Sequence, residues 1–414
     1  MGVKDTANLA MIPAAYAEDK VYSVLPSDGD GDFTFTRTGS GTRINKGGYI
    51  ETMGNNVPRL NYRLDADGNP TECAELLLEE SRINYISRSE EFNLWGDSGV
   101  IVTTNATIAP NGTQTADKLV STANNWRKSQ SFSGSSGTTY SVSVFVKLDT
   151  TTSTTTAQIE IFKGASGLVC DFNLYNETIP ENTGLNNPFI EKYPNDWFRI
   201  GGTYTANGTT QIMYVYPSAN YGIGGTMFFW GAQVEAGSTV SSYIPTGASQ
   251  VTRNKDEAEI NNFADAPTDY PFTMYVQMRI ETGIKGFGMS FGWDATSDRY
   301  YSIGYSEASS NKKFRFTNRS QGTGYDFEPS AEYYEGLHKV AVKFISSTNF
   351  KGYINGIEVA NHTHTASSFN SSIQDLLLGQ LREVGDTNSR NPIKEAFMWN
   401  KALTDAEMVE ITTP

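Results

Sequence analysis

The sequence predicts an all-β protein built from more than one β-sandwich, and three observations carry that expectation. The 414 residues exceed what one hydrophobic core organises, so several cores are expected. The composition includes 22 Tyr, 22 Phe and 38 Gly, with long Thr, Ser and Asn stretches, and favours short strands and tight turns over long helices. Apolar and polar residues also alternate with a period of two wherever the pattern is sustained, the signature of strands with one buried face.

Residues 1 to about 75 carry little sustained periodicity and many turn signals: Pro26, the Gly-Asp alternation from Asp28 to Asp32, and Gly47-Gly48. Short strands fit Phe33–Thr36 and Tyr49-Ile50. This segment reads as an extended arm with hairpins that needs something larger to lie against, and protease is expected to remove it first. The run from Leu76 to Trp95 fits either a strand with a short turn or one helical turn.

Strand patterns then recur to about residue 245. Tyr140, Val142, Val144, Val146 and Leu148 fall on one face, with Ser141, Ser143 and Lys147 on the other. Further strands are expected at 157–162, 197–204, 211–216 and 226–234, enough for a two-layer core. Pro245-Thr246-Gly247 and the polar run from Gln250 to Glu259 mark a boundary. Beyond it Phe272, Met274, Val276, Met278 and Ile280 alternate, as do Val340, Val342 and Phe344. Asn355-Gly356 sits where a hairpin tip belongs, between Tyr353 and Ile357. One short helix is expected after Thr404, with Glu407 completing a capping box and Met408 and Ile411 on its apolar side.

Several functional classes are disfavoured. The formal net charge is −14 and no basic cluster interrupts the chain, so nucleic acid is not the expected partner. The N-terminus is too weakly apolar for a signal peptide, and no run approaches a bilayer span, so no membrane insertion is expected. Cys73 and Cys170 lie far apart and read as separate thiols. No nucleophile elbow, phosphate loop or dinucleotide fingerprint is present. The carboxylate pairs Glu79-Glu80 and Glu90-Glu91 are adjacent, and neighbours on a strand point to opposite faces, so neither forms a catalytic pair by itself. No catalytic residue is assigned and the chain is expected not to be an enzyme.

Two kinds of ligand site are candidates. Trp126 follows Asn124-Asn125 and precedes Arg127; an indole ring can stack on a sugar while Asn and Arg side chains hydrogen-bond its hydroxyls. Asp28, Asp30 and Asp32 offer oxygens at alternating positions like the first half of a calcium loop, although the position where such a loop places its Glu falls on Gly39. His338 is expected near a strand edge, and His362-Thr363-His364 in a polar loop.

The stretch Val21-Tyr-Ser-Val-Leu-Pro26, Gly31-Asp-Phe-Thr-Phe-Thr-Arg37, Thr42-Arg-Ile-Asn45, Asn56-Val-Pro-Arg-Leu-Asn-Tyr62 and Glu75-Leu-Leu-Leu-Glu79 resembles the leader of bacteriophage virion proteins of head-fibre or tail-fibre type. Cys73-Ala74-Glu75 stands where that leader usually has Cys-Pro-Ser. Residues 92–250, with Phe92-Asn-Leu-Trp95, Trp197-Phe-Arg199 and Trp230-Gly-Ala-Gln-Val-Glu235, resemble a carbohydrate-binding-module-like jelly roll. The last 150 or so residues, with Lys351-Gly-Tyr-Ile-Asn-Gly356 and Ile393 to Trp399, resemble a laminin-G, concanavalin A-like jelly roll.

These resemblances imply an attachment leader over 1–75 and jelly rolls over 76–250 and 251–414. They imply a structural protein of a phage particle: a head fibre, tail fibre or capsid decoration assembled in the host cytoplasm and displayed at the virion surface. Other virion proteins and surface glycans are the implied partners, a homo-oligomer such as a trimer the implied state, and Ca2+ the one implied cofactor. A virion-borne glycan depolymerase or lyase, and a purely architectural subunit, are the alternatives.

Overall fold

Strands dominate the computed structural model, which describes residues 2–414 apart from 123–125, 220–222, 282–285, 295–298, 309–310, 321–322, 365–368, 370–374 and 381–390. The expected all-β sandwich architecture is present. Within 96–236, a sheet ordered Gly96–Ser98, Arg127–Ser133, Thr210–Tyr216, Thr156–Phe162, Gly167–Asn173 faces a sheet ordered Val100–Thr107, Ala116–Ser121, Thr226–Ala236, Thr139–Leu148, Trp197–Thr205, Asn186–Tyr193. Their shared core contains Val142, Val144, Val146, Ile159, Ile161, Met213, Val215 and Phe229. The strand Thr139–Leu148 is buried on both faces from Tyr140 to Val146, including Ser141 and Ser143, whereas its alternation predicts one wet face. Arg199 donates to Ser143 Oγ at 3.0 Å and Tyr243 packs on Phe145, which accounts for the covered polar face.

The second sandwich places Phe272–Ile280 between Gly336–Ser346 and Ile393–Trp399 in one sheet, and Gly286–Asp294 between Leu376–Leu378 and Arg299–Ala308 in the other. Asn355 and Gly356 both have positive φ, 49° and 82°, as a two-residue hairpin turn requires. The helix Asp405–Thr412 starts with the expected reciprocal capping of Thr404 and Glu407, and buries Met408 and Ile411. His362 belongs to the strand Ile357–Thr363, not to a loop, and its ring stacks on Tyr325 at 4.2 Å; His364 stacks on the same ring at 5.2 Å. Among the described residues no helix is long and apolar enough to cross a membrane. Cys73 and Cys170 are both free thiols.

The N-terminal arm departs most from expectation. It lies against something larger as predicted, but as an integral part of the second sandwich. Leu9–Met11 pairs with Ala396–Met398, Phe33–Thr36 with Glu257–Glu259, and Leu60 with Leu76, itself bridged to Ile393. Leu9, Met11, Val21, Phe33, Phe35, Leu60 and Leu76 are buried in the same core as Phe272 and Val342. Early proteolytic loss of the arm is therefore no longer expected, because its cleavable backbone is hydrogen-bonded into two sheets.

A buried ionic network ties the arm down. Arg37 pairs with Asp256 at 2.9 Å, Arg59 with Asp256 and, at 2.6 Å, with Glu79, and Arg253 with Glu79 at 2.7 Å. All five side chains are buried. Ser242, from the segment that closes the first sandwich, donates to Glu79 through its hydroxyl at 2.6 Å and its backbone N–H at 2.9 Å. Glu79, half of an adjacent carboxylate pair in the sequence, is thus a structural counter-ion, while Glu80 pairs with Arg82.

Candidate functional site

Alternation along three neighbouring strands brings one polar and aromatic group together on the sheet that carries Arg127. Met213, Val215, Ile159 and Ile161 point into the core, so Tyr214 and Glu160 point the other way, while Tyr216 at the strand's end is buried with only its hydroxyl reaching this group. Glu160 lies directly opposite Tyr214, and Gln158 opposite Tyr216. The Arg127 guanidinium sits over the Tyr214 ring, 4.1 Å from its centre. It donates to Tyr216 Oη at 3.2 Å and lies 3.5 Å from Glu160, which accepts from the same Tyr216 hydroxyl. Beside this group Gln158 donates to Asp171 at 2.7 Å. The Arg127 side chain is 38% exposed and that of Glu160 20%, so fixed donors and acceptors reach solvent beside an aromatic ring.

The residues singled out in the sequence separate here. Trp126 is fully buried in the core of the first sandwich, so its ring offers no face for stacking. Arg127 points the opposite way, onto the polar sheet face. Asn124 and Asn125 lie outside the described residues. Tyr214, Tyr216 and Glu160 were missed; each occupies an alternating position in an expected strand, but only the packing shows which alternation faces out.

A second concavity, of about 380 Å³, opens where the arm passes between the sandwiches. The arm contributes Arg63, the edge strand Asn186–Tyr193 contributes Phe189, Glu191 and Tyr193, and Glu281 enters from the second sandwich. Arg63 lies 4.0 Å from Glu281. Burial pushes the Glu281 carboxyl up to about 7, against the pull of Arg63 and with added push from Glu79 and Glu75. The folded pKa of Glu281 lies above the unfolded value, so its contribution to stability is complete below the ordinary Glu pKa and is lost as pH rises through about 7. Glu281→Gln is expected to be neutral at pH 5 and stabilising at pH 8; urea midpoints at the two pH values check this, and a variant equally stable relative to the parent at both would contradict it.

Residues 252–408 match the concanavalin A-like lectin/glucanase superfamily. The match lies in the second sandwich and leaves outside it the arm strands that complete that core. Comparison with curated proteins gives no match. Solved structures that align include the carbohydrate-binding module of a Ruminococcus gnavus sialidase bound to α2,3-sialyllactose (18% identity, 35% of this chain and 83% of that one, TM-score 0.30). A heptameric SAP-like pentraxin of Limulus polyphemus also aligns (14%, 35% and 70%, TM-score 0.29), as does domain 4 of a Geobacillus stearothermophilus arabinanase in complex with arabinotriose (14%, 42% and 82%, TM-score 0.31).

The carboxylates considered for calcium, Asp28, Asp30 and Asp32, each accept a backbone hydrogen bond. Asp28 accepts from the Asp30 backbone N–H at 3.1 Å, Asp30 from that of Ala264 at 3.0 Å, and Asp32 from that of Ser23 at 2.9 Å while pairing with Lys20 at 3.3 Å. Among the described residues no three His, Cys, Asp or Glu side chains are grouped to hold a metal ion. Asp30 also ties this segment of the arm to Ala264. His338 is held by Asn355 at 2.9 Å and the Tyr334 carbonyl at 2.8 Å.

Proposed function

We propose that this chain is a glycan-recognising protein, displayed at a virion surface, whose first sandwich contacts sugar through the sheet face bearing Arg127, Tyr214 and Glu160. The observation that carries the reading is the convergence of a guanidinium, the half-buried Tyr214 ring and a carboxylate on a partly open sheet surface, with the buried Tyr216 hydroxyl fixing the two charged groups, a pattern that complements sugar hydroxyls and C–H faces. The lectin/glucanase match of residues 252–408 supports the same ligand class, and the likeness of the arm to phage leaders supports the virion setting. Copies in a homo-oligomer, a trimer for example, would convert weak single contacts into firm attachment.

The test is a glycan array probed with the full chain and with Tyr214→Ala and Arg127→Ala. Each substitution is expected to weaken the glycans bound by the parent by about tenfold, the equivalent of ~1.4 kcal/mol. Unchanged binding in both variants would remove the sheet face from the proposal.

Glycan cleavage is the second reading, favoured by a superfamily that includes glucanases as well as lectins. New reducing ends on incubation with the polysaccharides that score on the array would replace binding by hydrolysis as the principal activity.

A further inference from the structure

The cleft between the arm and the two sandwiches has the construction of a ligand site of its own. A β-carbon at Gly201 would come within 3.0 Å of the Phe189 ring, so the bare glycine lets that ring rest against the strand Trp197–Thr205 as a fixed apolar platform. Glu191, two residues further along the Phe189 strand, has no hydrogen-bond or ion-pair partner among the described residues. Arg63 has only its 4.0 Å approach to Glu281. The other arginines of the wall are committed: Arg43 to Glu51 at 2.9 Å, Arg199 to Ser143.

The chemistry of this lining selects its occupant. A phosphate or sulfate would meet two carboxylates and one uncommitted cation. An apolar ligand would strip water from Glu191, Glu281 and Arg63 without replacing their hydrogen bonds. A neutral polyhydroxylated ring satisfies all of them: its C–H face covers Phe189, its hydroxyls donate to the two carboxylates, and its oxygens accept from Arg63. At about 380 Å³ the cleft falls within the range of small-molecule sites, roughly 300–1,000 Å³.

We propose that this cleft is a second saccharide site, binding a short neutral glycan through Phe189, Glu191, Glu281 and Arg63. It extends the glycan reading to a place that shares no residue with the sheet face, so the two stand or fall separately.

Saturation-transfer NMR on the full chain, with lactose, cellobiose and maltotriose each at millimolar concentration, tests it. At least one sugar is expected to receive transfer from the parent and from Tyr214→Ala, and to bind about tenfold more weakly to Phe189→Ala and Glu191→Gln. Glu191→Gln is isosteric at an exposed position, so it decides the matter if Phe189→Ala fails to fold. No transfer to any of the three sugars, undiminished transfer in Glu191→Gln, or loss confined to Tyr214→Ala would each overturn the site. Loss confined to the cleft variants would leave the cleft standing and count against the sheet face.

Discussion

Arg59→Ala is expected to destabilise the protein by about 3–5 kcal/mol, because it takes one of two arginines from each of two buried carboxylates, leaving Asp256 to Arg37 and Glu79 to Arg253. Arg59 bridges Asp256 and Glu79, and its guanidinium also donates to the Thr42 carbonyl at 3.0 Å and to Ser242 Oγ at 2.8 Å. Its side chain is wholly inaccessible. Removing it takes away the arm's ion pair with Glu79 and leaves Arg37 as the one arm arginine on Asp256. Urea unfolding checks the magnitude, and protease should then release the arm from the variant but not from the parent. A loss below about 1 kcal/mol would place the network among those that contribute little. The same network fixes an acid response. Burial alone would raise the Glu79 carboxyl, but Arg253, Arg59 and the Ser242 hydrogen bonds overcome it and hold the group far below the usual carboxylate range. Its stabilisation is present above the ordinary Glu pKa and is lost only as pH falls through that depressed folded value, so Glu79 remains ionised in mildly acidic solution.

Long alternating strands were legible because each carries its own periodicity. Thr139–Leu148, Phe272–Ile280 and the Asn355-Gly356 hairpin were all readable from neighbours in the chain. In the arm the strand Phe33–Thr36 was readable, but its place in the second sandwich was not, since the arm's strands are two to four residues long and their partners are remote: Leu9 lies beside Met398. A three-residue strand has too few positions to show a period, and its burial is set by the sheet it joins. The ionic network was hidden for the same reason. Arg37, Arg59, Glu79, Arg253 and Asp256 look like ordinary surface charges until the fold brings them together.

The candidate site shows the same division at shorter range. Asn124-Asn125 beside Trp126 suggested an exposed ring. Yet side chains alternate across the strand Arg127–Ser133, and the residue preceding Arg127 turns inward as Arg127 turns outward. The ring itself belongs to the core.

Deleting residues 1–75 is expected to have the largest effect of all, preventing the second sandwich from folding while the first survives. The cut removes Leu9, Met11, Val21, Phe33, Phe35 and Leu60 from one core. Burial of each such side chain contributes about 1.5–3 kcal/mol, so the combined loss is as large as the roughly 5–15 kcal/mol by which domains are ordinarily stable. It also removes Arg37 and Arg59, leaving Asp256 without either arginine, and it exposes the edges of Ile393–Trp399 and Glu257–Ile260 that the arm strands pair with. Unpaired edges beside an opened apolar core favour aggregation. By contrast, the core around Val144, Ile159 and Val215 receives no side chain from the arm. The truncated chain should therefore precipitate or expose residues 251–414 to protease, with a resistant fragment spanning about 82–250. A soluble truncated chain whose second sandwich melts with the parent would show instead that the arm only decorates a core complete without it.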